Sequence, residues 1–158
     1  MRNFKIKRIT EAAEIAAATK LAHDVFMEFE APFYAPEGIK SFENLIFKPE
    51  NLPAMLESEA AVMWGCYRKN ALVGMMAVRD FSHVSLAFTK KEYHRMGAGT
   101  MLFAALRAYS LSKFCTEITV NSSPYGVPFY KSLGFTATDS ERMDFGMIYI
   151  PMTCRIEN

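Results

Sequence analysis

Disulfide chemistry, metal knuckles and membrane spans all lack their raw material in this chain. Its three cysteines, Cys66, Cys115 and Cys154, are odd in number and scattered, with no CxxC pair, which argues against a zinc knuckle and a secreted disulfide framework. Reduced thiols are expected. No apolar run approaches the ~20 residues that a membrane-spanning helix needs, and the opening MRNFKIKRIT lacks the apolar core of a secretory leader. Both absences point to the cytoplasm. An excess of one charge is missing too: 18 Lys and Arg stand against 17 Asp and Glu, a formal net charge of +1, so no overall field steers the chain toward nucleic acid or an anionic membrane. There are no repeats, low-complexity tracts or linkers, and no GxxxxGK[ST] phosphate loop.

What is there suits one folded domain over residues 1–158. Hydrophobic residues make up 51%, aromatic residues 13% and charged residues 22%, enough to bury a core without disulfide or metal. Phe4 to Ile9 alternates apolar and basic residues as a half-buried strand does, and Thr10 offers an N-cap for a long amphipathic helix from Glu11 to about Glu30. Pro32 and Pro36 break that helix, and shorter helices are expected over 37–47 and 53–57. Two nearly continuous apolar stretches, 61–67 and 71–78, flank Arg68-Lys69-Asn70 and read as a hairpin. A strand from His83 to Thr89, a helix from Ala98 to about Ser112 and a strand over 116–120 complete a right-handed crossover, which makes those two strands parallel. Asn121-Ser122-Ser123-Pro124 supplies the cap and first turn of a short helix, Gly134 its C-terminal stop, and the stretches from Phe135 and from Phe145 to Ile156 close the sheet. The expected fold is α/β: a mixed, mostly antiparallel sheet with one parallel strand pair and helices on both faces.

The stretch from His83 to Leu106 holds the strongest chemical signal. It passes from an apolar strand through a charged link to Gly97-Ala98-Gly99 at the start of an apolar helix. Glycine costs ~1 kcal/mol relative to alanine inside a helix, so two in an opening turn suggest that backbone must approach something closely. Amides left free at a helix N-terminus favour an anion, usually a phosphate. The glycines alone fit a tight turn without a ligand equally well, and a dinucleotide fingerprint is ruled out by Leu102 where a third small residue belongs.

With its context, this stretch resembles the GNAT superfamily of acyl-CoA-dependent N-acyltransferases. The family signature Gln/Arg-x-x-Gly-x-Gly/Ala is matched by His94-Arg95-Met96-Gly97-Ala98-Gly99, with His94 where Gln or Arg is usual. Downstream, Asn121 and the run Phe129-Tyr130-Lys131-Ser132-Leu133-Gly134-Phe135 match the family's asparagine and aromatic-Tyr-x-x-x-Gly-Phe segment. The amides of Arg95 through Thr100 can wrap a pyrophosphate with the aid of the helix dipole. The resemblance implies acetyl-CoA as co-substrate without a metal, a pantetheine arm bonded to backbone near Leu86, Ala87 and Phe88, and a polar contact from Asn121. It also implies that Tyr130 protonates the departing thiolate.

The base is open on the residues alone. His83 leads, since an unperturbed histidine titrates near ~6.5. Glu28 and Glu30 are alternatives, placed near the C-terminal end of the first long helix where the macrodipole disfavours acids and an amine substrate would compensate. Tyr34 follows them and could line the same pocket. The expected function is transfer of an acetyl group to a primary amine of a small molecule or protein, directly and in a ternary complex. The alternative is a non-catalytic acyl-CoA-binding or sensory module, and a homodimer through the last strands is possible in either case.

Overall fold

Helix α1 (Ala12–Phe29) places Ala18, Leu21, Ala22, Val25 and Phe26 in one buried stripe, the spacing that lays one helix face on a sheet. It starts where the Glu14 carboxylate accepts the Thr10 and Glu11 amides at 3.5 and 3.3 Å and pairs with Lys7 at 2.7 Å. The cap position therefore falls on Glu11, one residue beyond the expected Thr10. These features come from a computed structural model that describes residues 3–47 and 52–157. Residues 1–2, part of the stretch read for a leader, lie outside them, as do 48–51 and 158.

Strands β1 (Phe4–Arg8), β2 (Ala61–Arg68), β3 (Ala71–Arg79) and β4 (His83–Thr89) form an antiparallel meander. β2 and β3 are apolar throughout because helices cover both faces. Val62, Trp64, Cys66, Val73, Met76 and Val78 join one core cluster with helix α4 (Ala98–Ser112). Met63, Met75 and Ala77 join the other, with α1 and with Phe42 and Ile46 of α2 (Pro36–Phe47). The short α3 (Leu52–Glu57) precedes β2. Strand β5 (Glu117–Ser122) lies parallel to β4, and β8 (Met147–Arg155) runs antiparallel along β5. The sheet order is β1-β2-β3-β4-β5-β8-β6, with β6 (Thr136–Ala137) at the edge and β7 (Arg142–Asp144) paired to β8 off that path. This is the mixed, mostly antiparallel sheet with one parallel pair. No helix among the described residues is long and apolar enough to cross a membrane.

Two further expectations need correction. Helix α5 (Val127–Ser132) starts after the Ser-Ser-Pro run rather than within it, because the Gly126 amide turns back to the Ser123 carbonyl at 3.0 Å and hydroxyl at 3.1 Å. Phe145 does not begin the last strand. Phe145 and Gly146, at φ 52° and 77°, form a two-residue turn between β7 and β8, the left-handed pair whose twist suits a tight hairpin.

That turn is seated on α2, backbone to backbone. A Cβ at Gly38 would lie 2.2 Å from the Gly146 carbonyl oxygen, and the Ser41 hydroxyl donates to the Phe145 carbonyl at 2.9 Å. Alanine is the better helix former by ~1 kcal/mol, yet Gly38→Ala should lower stability by ~1–3 kcal/mol through overpacking against main chain. Urea unfolding of the two proteins measures this, and an unchanged or stabilised variant would show that the contact does not govern the position.

Candidate active site

The site begins with an irregularity in β4. Ala77 pairs with Leu86 and Val78 with Val84, so Ser85 is an extra residue with no partner on β3. Such a bulge bends its strand and sharpens the twist. On its other side β4 pairs with β5 only through His83 with Thr119 and Val84 with Val120. Beyond that point the strands fork: β4 stays with β3, and Asn121 and Ser122 stay with β8. The bulge also shifts the side-chain alternation. Val84 and Ala87, three apart, pack on the α4 side, whereas Leu86 and Phe88 pack on the α1 side. Main-chain groups of β4 from Ser85 onward on the β5 side thus have no strand partner, and buried backbone polar groups require one.

A cavity of about 1110 Å³ fills the fork. Its walls come from both faces of the sheet: Ala98, Leu102 and Phe129 on the α4 side, and Val25, Phe42 and Leu45 on the α1 and α2 side. The cavity therefore passes through the sheet. Leu86, Ala87, Phe88 and Asn121 line it where the strands separate.

At one end the wall is the turn leading into α4. Arg95 and Gly97 take left-handed backbone, φ 60° and 94°, a conformation that residues other than glycine rarely adopt. No side chain caps α4 and no acid sits in its first turn. The first-turn amides, including those of Ala98, Gly99 and Thr100, thus remain available to an anion. Gly99 has a packing reason of its own, since a Cβ there would lie 2.7 Å from the Phe129 ring. His94, Arg95 and Thr100 line the cavity together with both glycines, and Met96 does not. The His94 Nε2 lies 2.6 Å from the Thr89 carbonyl. A carbonyl only accepts, so Nε2 carries the proton, and the ring fastens the turn to the end of β4.

Three titratable groups gather at the fork. Tyr130, 7% exposed, lines the cavity and packs edge-on against Phe129 and Phe135. Its hydroxyl makes no hydrogen bond to protein among the described residues, and none of their buried side-chain polar atoms is unsatisfied. That hydroxyl therefore opens on the cavity. Burial, with the Glu30 carboxylate adding to it, raises the phenol well above its ordinary value. Glu30, at the C-cap of α1, is pushed up to about 7 by burial, against a hydrogen bond from the Ser123 hydroxyl. Burial and the same carboxylate raise Tyr34, whose hydroxyl donates to the Ile148 carbonyl at 3.1 Å. Glu30, Tyr34 and Tyr130 thus share one poorly solvated space.

The remaining expected residues lie elsewhere. His83 lines the cavity at the closed base of the fork, with Nδ1 2.8 Å from the Thr119 hydroxyl. Burial lowers its pKa, and its charged neighbours are Arg79 and Asp80 rather than Glu30. Glu28 is exposed, 3.9 Å from Lys91, and outside the cavity wall. Three contributors had no signal that marked them for the site. Ser123 looked like a helix cap, while Tyr125, stacked on Phe29 at 5.2 Å, and Phe145 are loop aromatics whose partners are distant in sequence. No group of three or more His, Cys, Asp or Glu side chains suited to a metal ion occurs among the described residues.

Residues 30–156 match the family model described as "Acetyltransferase (GNAT) domain". The chain is 25% identical to the uncharacterized protein YyaT of Bacillus subtilis strain 168 over 156 residues, 97% of each chain. Its fold is similar to that of a GCN5-related N-acetyltransferase from Rhodopseudomonas palustris, with TM-score 0.82, 16% identity and coverage of 98% of this chain and 97% of the other. It is also similar to the PaiA N-acetyltransferase of Thermoplasma acidophilum in complex with coenzyme A, with TM-score 0.79, 18% identity and coverage of 97% and 99%.

The raised carboxyl of Glu30 has a thermodynamic signature. Between its ordinary 4.5 and about 7 the folded chain holds a proton that the unfolded chain has released, so Glu30 lowers stability as pH rises through that window. Glu30→Gln should raise stability by on the order of 3 kcal/mol at pH 8 and leave it nearly unchanged at pH 4. Denaturant unfolding at both pH values tests this, and equal effects at the two would remove burial of the charge as the cause.

Proposed function

The chain belongs to the GNAT acetyltransferase family, and from that footing we propose that it transfers the acetyl group of acetyl-CoA directly to a primary amine of a small molecule or protein, in a ternary complex. The observation that carries this reading is the cavity running through the sheet at the β4–β5 fork. A donor held on the α4 side and an acceptor entering from the α1 and α2 side meet there without an acyl-enzyme. Direct attack needs both substrates bound together with the reacting atoms ~3–3.5 Å apart.

The residues divide by task. The amides from Arg95 through Thr100, with Met96, Gly97, Ala98 and Gly99 between them, hold the pyrophosphate at the uncapped start of α4, and His94 holds the turn that presents them. Unpaired backbone at Leu86, Ala87 and Phe88 bonds the pantetheine amides as an added strand would be bonded, with Asn121 opposite. Acetyl-CoA supplies a thioester, a carbonyl carbon open to attack with a thiolate as leaving group. The C–N bond forms and the C–S bond breaks; the ammonium loses one proton before it attacks, the nitrogen loses a second as it becomes an amide, and the thiolate gains one.

Glu30 takes the first. An ammonium cannot attack, and a carboxyl near 7 is half ionised at neutral pH, basic enough to accept the proton yet available to do so. His83 lies among Arg79 and Asp80 at the base of the fork, which favours Glu30 over it. Tyr130 gives a proton to sulfur and is restored by the second proton from the acylated nitrogen, so the one proton left over is that held by Glu30. Its raised pKa keeps the phenol protonated throughout the working range, and its hydroxyl has no competing protein acceptor among the described residues. An unengaged donor aimed at the cavity favours turnover over a purely sensory role. Tyr34 shapes the acceptor side, while Glu28 faces solvent and takes no part.

Steady-state acetylation of an amine panel, followed by free thiol release, tests these roles. Tyr130→Phe should lower kcat by ~10²-fold or more with CoA affinity little changed, and undiminished turnover would overturn the acid assignment. The kcat/KM of the unmodified enzyme should fall as pH drops through about 7. Glu30→Gln should abolish that limb and cost ~10²-fold above it. A variant that keeps the same pH limb would transfer the role of base to another group.

A further inference from the structure

Phe145 sits where the fold gains nothing from it. It occupies the first central position of the β7–β8 turn at φ 52°, where asparagine or glycine is the unstrained choice. Its ring is 79% exposed and belongs to neither core cluster. Backbone strain and an exposed aromatic ring both disfavour folding, and such strain persists mainly where it serves a site. Phe145 lines the cavity. Two other exposed apolar side chains do so with it: Leu45 of α2, 58% exposed, and Tyr125, 44% exposed and stacked on Phe29 immediately before Glu30.

The charges around these rings are few. Among the described residues lining the cavity, Glu30 and Asp144 are the only carboxylates, and Asp144 already accepts the Tyr149 hydroxyl at 2.6 Å. The lysine and arginine side chains of the wall are Arg79 and Arg95. Arg79 pairs with His83 at the start of β4, and Arg95 lies beyond the strand's far end. The acceptor side thus offers one part-buried carboxylate, Glu30, for one ammonium and no central cation for a substrate carboxylate. The rest is apolar and aromatic.

Building on the acetyl-transfer reading above, we propose that the acceptor is an arylalkyl monoamine, its ring held by Phe145, Tyr125 and Leu45 and its amino group delivered to Glu30. A polyamine or an aminosugar would bring further ammonium groups to a wall whose one other carboxylate, Asp144, is exposed and already accepts the Tyr149 hydroxyl, so those groups would gain little over their hydration in water. An amino acid would bring a carboxylate with no partner.

The test compares 2-phenylethylamine, spermidine and a short peptide with a free N-terminal alanine as acceptors with acetyl-CoA, and octanoyl-CoA as an alternative donor. Phenylethylamine should have the highest kcat/KM, at least ~10-fold above spermidine, since one aromatic contact is worth ~0.5–1.5 kcal/mol and several act together. Phe145→Asn keeps a residue suited to the turn, so it should be as stable as the unmodified protein. It should raise the KM for phenylethylamine ~5–10-fold, with kcat and acetyl-CoA affinity nearly unchanged, and Tyr125→Ala should do the same. Preferred turnover of spermidine or the peptide would overturn this proposal and leave acetyl transfer standing. A Phe145→Asn effect on octanoyl-CoA rather than on the amine would also overturn it, giving the rings to the acyl chain. Acetyl-CoA binding without turnover of any amine would overturn the acetyl-transfer reading, and this proposal with it.

Discussion

One unpaired residue in β4 organises the molecule. A parallel pair whose hydrogen bonds ran the length of both strands would close the sheet and leave no passage between its faces. The extra residue at Ser85 ends that pairing after Val84 and Val120, and the cost in lost ladder bonds falls where an extended ligand can replace them. The surrounding structure keeps the fork open. β4 is held by β3, β5 is held by β8, and helices on both faces brace the two arms. The bulge thus turns a covered sheet into a channel with exposed main-chain edges.

Electrostatics then follow from burial. A phenol and a carboxyl placed in the same poorly solvated space each hold their protons more tightly because neither ion is hydrated, and the Glu30 carboxylate, which ionises first, raises the phenol further. Tyr130 stays protonated, and Glu30 comes to a point where it can bind or lose a proton near neutrality. One environment therefore sets a phenol and a carboxyl to the different proton affinities that the proposed acid and base require. The price is folding stability, which the rest of the core must carry.

The fold was largely legible in the sequence. Periodicity located α1, the apolar pair β2 and β3, and the β4–α4–β5 unit to within a few residues, and the crossover rule made β4 and β5 parallel. The donor end was legible for a related reason: the turn from His94 to Gly97 and the start of α4 are local, so their residues are adjacent in the chain. Gly99 carried a mixed message, since its lack of a side chain admits the Phe129 ring as well as an anion. The acceptor side was hidden because its parts are far apart. Nothing near Phe145 says that it meets α2, and nothing near Ser123 says that it bonds Glu30 across more than ninety residues. His83 drew notice by its type and by its place at the start of β4. Its ordinary titration range suits a base, but β4 carries it to the closed end of the fork, beside Arg79 and Asp80.

The contact between Gly99 and Phe129 has a mechanical consequence. The Phe129 ring rests directly on the first turn of α4, with no room for even a methyl group between them, and the next residue in the chain is Tyr130. The proposed phosphate turn and the proposed proton donor are therefore parts of one bracket, and a displacement of either is passed to the other. The proposed acceptor wall at Phe145 is bolted instead to α2, on a separate mount. On those roles, alignment of acid to thioester is held to a tight tolerance, while the fit to the acceptor can be changed without disturbing it.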